Sequence, residues 1–252
     1  MNTPKPLFFQ DLVALDKDAH RALTLPQQRD SFAFAAQANL IPITVAEVAQ
    51  ALRAYPLVFV TEAGSGPTLV VVTGLQPGRN TFVDTQGQWR AGAYIPAYVR
   101  GYPFIAVRAS ENAEPVLALD PLAQDFKAAG GKPLIQADGQ PSEQLKAVMA
   151  FQSEYHHLAQ RTHGMVKALH DAGVLEDSNL QLQPSDGGQA QQIGGFSVVS
   201  EAKLRALAPE PLKKLMDADA LGLAYAQLLS MGSLGNLLLP PAPPPQAKPA
   251  SH

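Results

Sequence analysis

The sequence predicts an α+β protein: an N-terminal antiparallel β-sheet packed with one long helix and a C-terminal helical cluster. Three observations predict it: β-branched runs between residues 57 and 119, one long amphipathic stretch after residue 141, and leucine-rich segments beyond residue 200. Leu57-Val58-Phe59-Val60-Thr61 and Thr68-Leu69-Val70-Val71-Val72 flank Gly64-Ser65-Gly66 and read as a hairpin. Thr81-Phe82-Val83 and Gln88-Trp89-Arg90 read as a second pair around Thr85-Gln86-Gly87, and further strands are expected at Phe104 to Arg108 and Val116 to Leu119. The turns come too close together for βαβ crossovers, so antiparallel meanders are expected.

The helical elements carry end signals. Thr44-Val45-Ala46-Glu47 is a capping box, in which hydroxyl and carboxylate satisfy opposite orphan amides; it opens a helix to about Ala54. Ser142 is the expected N-cap of the long helix, and Gly173 its C′ residue. At 100° per residue, Val148, Phe151, Tyr155, Leu158, Thr162, Met165 and Leu169 share one face. Phe196 to Val199 reads as a short strand, Ser200 as the cap of a helix through Leu207, and Pro209 and Pro211 as the start of the next. Residues 1–43 read as irregular, and 177–195 as a polar, Gly-rich loop with a small hairpin at Leu180 to Leu182. The expected organisation is one unit over 1–239, β-rich over 44–135 and helix-rich over 141–239. A Pro-rich tail, 240–252, is expected to be a solvated, disordered extension.

Composition excludes several chemistries. The chain of 252 residues has no cysteine, so disulfides, Cys-ligated zinc, iron–sulfur clusters and thiol catalysis are excluded. A net charge of −3, from 19 basic and 22 acidic residues, gives no basic excess for nucleic acid. The opening segment lacks the continuous apolar run of a secretory signal, and no stretch reaches the roughly 20 apolar residues of a membrane span. A cytoplasmic protein without a transmembrane segment is therefore expected.

Three stretches in order carry a family resemblance. They are Tyr55-Pro56-Leu57-Val58-Phe59; Gly74-Leu75 through Trp89 and Tyr94-Ile95-Pro96-Ala97-Tyr98-Val99-Arg100-Gly101-Tyr102-Pro103-Phe104; and Gly194-Gly195-Phe196-Ser197-Val198-Val199 with Glu201, Lys203, Leu204 and Leu207. Together they resemble the SapC family of S-layer-associated proteins. Family members often carry a second arginine before Tyr102, where this chain has Gly101. The resemblance implies a bacterial protein linked to a surface-layer, secretion or uptake system, and it supplies no catalytic residues. It also implies a rival role beside halogenase- or cupin-type proteins in small-molecule tailoring.

Two constellations bear on chemistry. Trp89, Tyr94, Tyr98, Arg100 and Tyr102 form an aromatic–arginine segment, the composition of interface hot spots and of sugar- or peptide-binding grooves. Most of these aromatics are expected to fill the core. Strand alternation would set Tyr98 and Arg100 on one face as the binding pair. His156, His157, His163 and His170 lie on the long helix. Residues seven apart rise about 10 Å along a helix and cannot share one ion, which leaves His156 and His157 as weak metal candidates against a solvated flank. Gly74 to Asn80 lacks any phosphate-loop pattern, and Asp84, Asp120, Asp125 and Asp138 read as turn-capping acids. No cofactor is expected. The expected function is that of a non-enzymatic accessory protein with a protein partner.

Overall fold

The computed structural model describes residues 5–61, 66–108, 113–183 and 190–239. The Pro-rich tail and the Gly64-Ser65 turn lie outside the described residues. The α+β class holds, and the larger sheet is antiparallel throughout. Its strands are β3 (Leu40–Pro42), β4 (Leu57–Thr61), β5 (Pro67–Val72), β9 (Leu175–Leu182) and β10 (Gln191–Val199), in the order β3-β5-β4-β10-β9. A second sheet joins β1 (Val13–Ala14), β7 (Val116–Leu119) and β6 (Phe104–Val107). A third pairs β2 (Thr24–Leu25) with β8 (Lys132–Pro133).

The helices follow their end signals closely. The capping box at Thr44 is made, but it opens a 3-10 turn and then the single α-turn α1 (Val48–Ala51). The long helix α3 (Glu143–Asp171) starts where the Ser142 hydroxyl accepts from the Leu145 amide. It is followed by Gly173 at φ 69°, a left-handed conformation that costs glycine little. Every residue of its assigned apolar face is buried or half-buried. That face packs on β5, β6 and the later helices α5 (Pro209–Asp217) and α6 (Ala220–Ser230). The shorter α4 (Glu201–Arg205) ends before the expected Leu207, and Ser200 makes no side-chain cap.

Four expectations are corrected. Residues 177–195 are not mainly loop: β9 and β10 form the longest hairpin of the fold, with a bulge between Ile193 and Phe196. The sheet is therefore not N-terminal only, since its two longest strands come from the half expected to be helix-rich. The first 43 residues contribute β1, β2 and β3, because pairing with distant strands orders them. Residues 81–90 make a turn with one bridge, Val83 to Trp89, in place of a strand pair.

The join between β4 and β10 is unusual. Only Ser197 and Phe59 pair across it. Beside that pair, α6 supplies side chains to the backbone groups: the Leu57 amide donates to Ser230 Oγ at 2.9 Å, Gln227 Nε2 donates to the Leu57 carbonyl at 3.1 Å, and the Val199 amide donates to Gln227 Oε1 at 2.9 Å. Gln227 is fully buried, so its amide stands in for ladder bonds that water cannot replace. Gln227→Leu should lower stability by about 2–3 kcal/mol, because two buried backbone groups lose their partner. Urea unfolding measures it; a loss under about 0.5 kcal/mol would mean the strands close up on their own.

Candidate functional site

Tyr98 and Arg100 of the aromatic–arginine segment lie on a helical turn, with Trp89 and Tyr94 before it and Tyr102 just after. Pro96 sets the entry, and α2 (Ala97–Gly101) follows. Tyr98 and Arg100, two apart on a helix, point to different sides, which corrects the strand alternation expected for them. The turn is too short to form from local propensity. It is held by long-range partners, and the first is Glu47.

Glu47 is buried, at 4% exposure. Its Oε2 accepts from the Thr44 amide at 2.7 Å and the Thr44 hydroxyl at 2.9 Å. Its Oε1 accepts from the Ala97 amide at 2.6 Å and the Tyr94 hydroxyl at 3.1 Å. One carboxylate thus closes its own capping box and caps α2, whose preceding residue, Pro96, offers no side-chain cap. Burial first, and then the Glu47 charge, raise the Tyr94 phenol above its ordinary range.

The five candidate binding residues have different fates. Trp89 is buried and donates from Nε1 to the Tyr55 hydroxyl at 3.0 Å, which in turn donates to the Tyr94 carbonyl. Tyr102 is buried and donates to Asp120 at 3.1 Å. Tyr98 is half-buried; its hydroxyl donates to the Leu7 carbonyl at 3.2 Å and its ring lies 6.2 Å from Tyr155. Tyr94 is half-buried on Glu47. Arg100 is exposed: it donates to the Ile95 carbonyl and the Tyr94 hydroxyl, and its guanidinium lies 5.7 Å from the Tyr94 ring and 5.4 Å from that of Phe151. Where the resemblance calls for a second arginine, a Cβ on Gly101 would stand 2.6 Å from Gln152 Nε2. The buried Gln152 donates to the Gly101 and Phe104 carbonyls, so α3 occupies the space a larger side chain needs.

The sequence reading missed Arg29. Its guanidinium donates to Asp125 Oδ2 from Nε at 2.9 Å and from Nη2 at 2.7 Å. Nη1 reaches the carbonyls of Val99 and Arg100, and Nη2 that of Tyr102. These bonds occupy all five N–H groups of an arginine and clamp the end of α2. Asp125, expected to cap a turn, is the counter-ion of this clamp. Asp84 and Asp138 do cap their turns, and Asp120 does so while also receiving Tyr102. Nothing in the local sequence marks Arg29, because its partners are 70 to 96 residues away. Beside the clamp lies a cleft of about 320 Å³, bordered by Phe34, Tyr102, Arg29 and Asp125. Phe34 and Tyr102 stack there at 4.3 Å.

The histidines lie along the flank of α3. His157, His163 and His170 are exposed, and His156 is half-buried with an Nε2 that finds no partner among the described residues. Burial, with Arg108 and His157 nearby, lowers its pKa below the ordinary histidine value, so it resists protonation in the fold. Among the described residues no three His, Asp or Glu side chains are placed to hold a metal ion.

Fold and segment together define an α+β protein organised around a capped aromatic–arginine turn, with no helix among the described residues long and apolar enough to cross a membrane. The SapC family profile matches residues 15–237, and the chain belongs to the SapC family. No curated protein and no solved structure matches it.

Proposed function

We propose that the chain is a non-enzymatic accessory protein that binds a protein component of a bacterial surface-layer, secretion or uptake system. Membership of the SapC family supports the setting. The observation that carries the binding role is the crowding of exposed large apolar side chains near the C-terminus. Among the described residues nine are exposed, and four of them, Leu212 and Met216 on α5 and Tyr225 and Leu229 on α6, fall on the last two α-helices. Single exposed leucines are ordinary; a concentration of them is a mark of association. Tyr225 and Leu229 are four apart on α6, hence on one side of it. In the aromatic–arginine segment, Arg100 is the exposed member and the one positioned to add a charged contact.

The test is co-purification from the native cell with the full chain and with Leu229→Asp, Tyr98→Ala and Arg100→Ala variants. Recovery of a surface-layer, secretion or uptake component, lost at least about tenfold with Leu229→Asp at unchanged melting temperature, supports the reading. Recovery of the same proteins with all three variants overturns it.

A further inference from the structure

We propose that the cleft beside the Arg29 clamp binds a neutral polyhydroxylated ligand, a sugar. Its volume of about 320 Å³ suits a small molecule. The charge pattern argues against both ionic classes. Arg29 has every N–H occupied within the chain, so it has no donor to offer an anion. Asp30 and Asp125 outweigh that one positive charge, so an anion also meets net repulsion. A cation finds only the Asp30 carboxylate, which is exposed and screened by water, because Asp125 is already paired with Arg29.

The unpartnered groups instead match hydroxyls. Both Arg29 bonds to Asp125 land on Oδ2, leaving Oδ1 without a partner among the described residues. The side chains of Asp30, Gln10 and Gln124 bond no described residue either; all three are exposed, so a ligand hydroxyl replaces water there. Ser31 Oγ accepts from the Ala33 amide and keeps its own proton to donate. The lining therefore offers carboxylate oxygens that only accept, and carboxamides that both donate and accept. A hydroxyl both donates and accepts, so a ring bearing several can satisfy this set without carrying charge. The half-buried Phe34, backed by the buried Tyr102 stacked on it, provides an apolar border for the C–H groups of such a ring. The wall is fixed in advance, because Arg29 ties Asp125 to the end of α2, and a preformed site loses little entropy on binding.

The inference uses none of the residues that support a protein partner, except that Tyr102 belongs to the same aromatic segment, so either reading can fail alone. Saturation-transfer NMR on the full chain tests it, with the methyl glycosides of glucose, galactose and N-acetylglucosamine at about 10 mM each, a concentration that reveals millimolar binding. Transfer to at least one glycoside is expected, with affinity at least about tenfold weaker in an Asp30→Ala, Gln124→Ala double variant that melts like the parent. Inorganic phosphate and butylamine should not compete. The proposal is overturned by absent transfer to all three glycosides, by undiminished transfer in the double variant, or by displacement with phosphate or butylamine.

Discussion

Glu47→Ala should destabilise the protein by about 3–5 kcal/mol, the largest effect expected of any single substitution considered. The carboxylate accepts from two backbone amides, the Thr44 hydroxyl and a phenol, all in a site with almost no access to water. The Tyr94 hydroxyl still receives Arg100, and the Thr44 hydroxyl can rotate, but the amides of Thr44 and Ala97 would be left orphaned. A buried amide without an acceptor costs about 1–3 kcal/mol, and the cavity left by the side chain adds to it. For a chain of this size the melting temperature should fall by about 10 °C. Glu47→Gln should fall between variant and parent, because its amide nitrogen replaces one carboxylate oxygen and so faces two of the four donors, one amide and one hydroxyl that can turn to accept. Amide hydrogen exchange should quicken at Ala97 before the rest of the chain. A Glu47→Ala protein within about 1 kcal/mol of the parent would show that α2 does not need its remote cap.

Asp120→Ala comes second, at about 2–4 kcal/mol. Asp120 is fully buried and accepts from the amides of Gln10, Asp11 and Leu122 and from the Tyr102 hydroxyl. The expected loss is smaller than for Glu47 because the segment around Gln10 can swing out and find water. That difference gives the two variants distinct signatures. Asp120→Ala should make the first fourteen residues prone to proteolysis, since β1 pairs with β7 just beyond the anchored amides. Limited chymotrypsin digestion followed by mass spectrometry reads this directly, through cleavage after Phe8, Phe9 and Leu12. Unchanged cleavage there would assign the anchoring to β1 alone.

How far the sequence could be read follows from how local each signal is. The hairpin of β4 and β5 is legible because both strands are buried and written in continuous β-branched runs. α3 is legible because its cap, its apolar face and its terminal glycine all lie within its own stretch. β9 is not: Leu-Glu-Asp-Ser-Asn-Leu-Gln-Leu lies at a sheet edge, where much of a strand stays in water and the apolar alternation fades. α2 is misread for the opposite reason. Tyr98 and Val99 favour strands, but a carboxylate fifty residues earlier and an arginine seventy residues earlier hold the turn. The same holds at the candidate site. The aromatic residues announce themselves by type, whereas Arg29 and Asp125 acquire meaning only through each other.

The way α6 stitches β4 to β10 bears on how the protein is made. During synthesis the first hairpin leaves the ribosome more than a hundred residues before its neighbour strand, and the helix that fastens the two comes later still. Until then Leu57 and its apolar neighbours have a half-finished layer to rest on, a state that invites aggregation. This protein therefore gains its cooperative structure only once β10 and α6 have emerged, and a ribosome stalled before them would present an open β edge to the cell's chaperones.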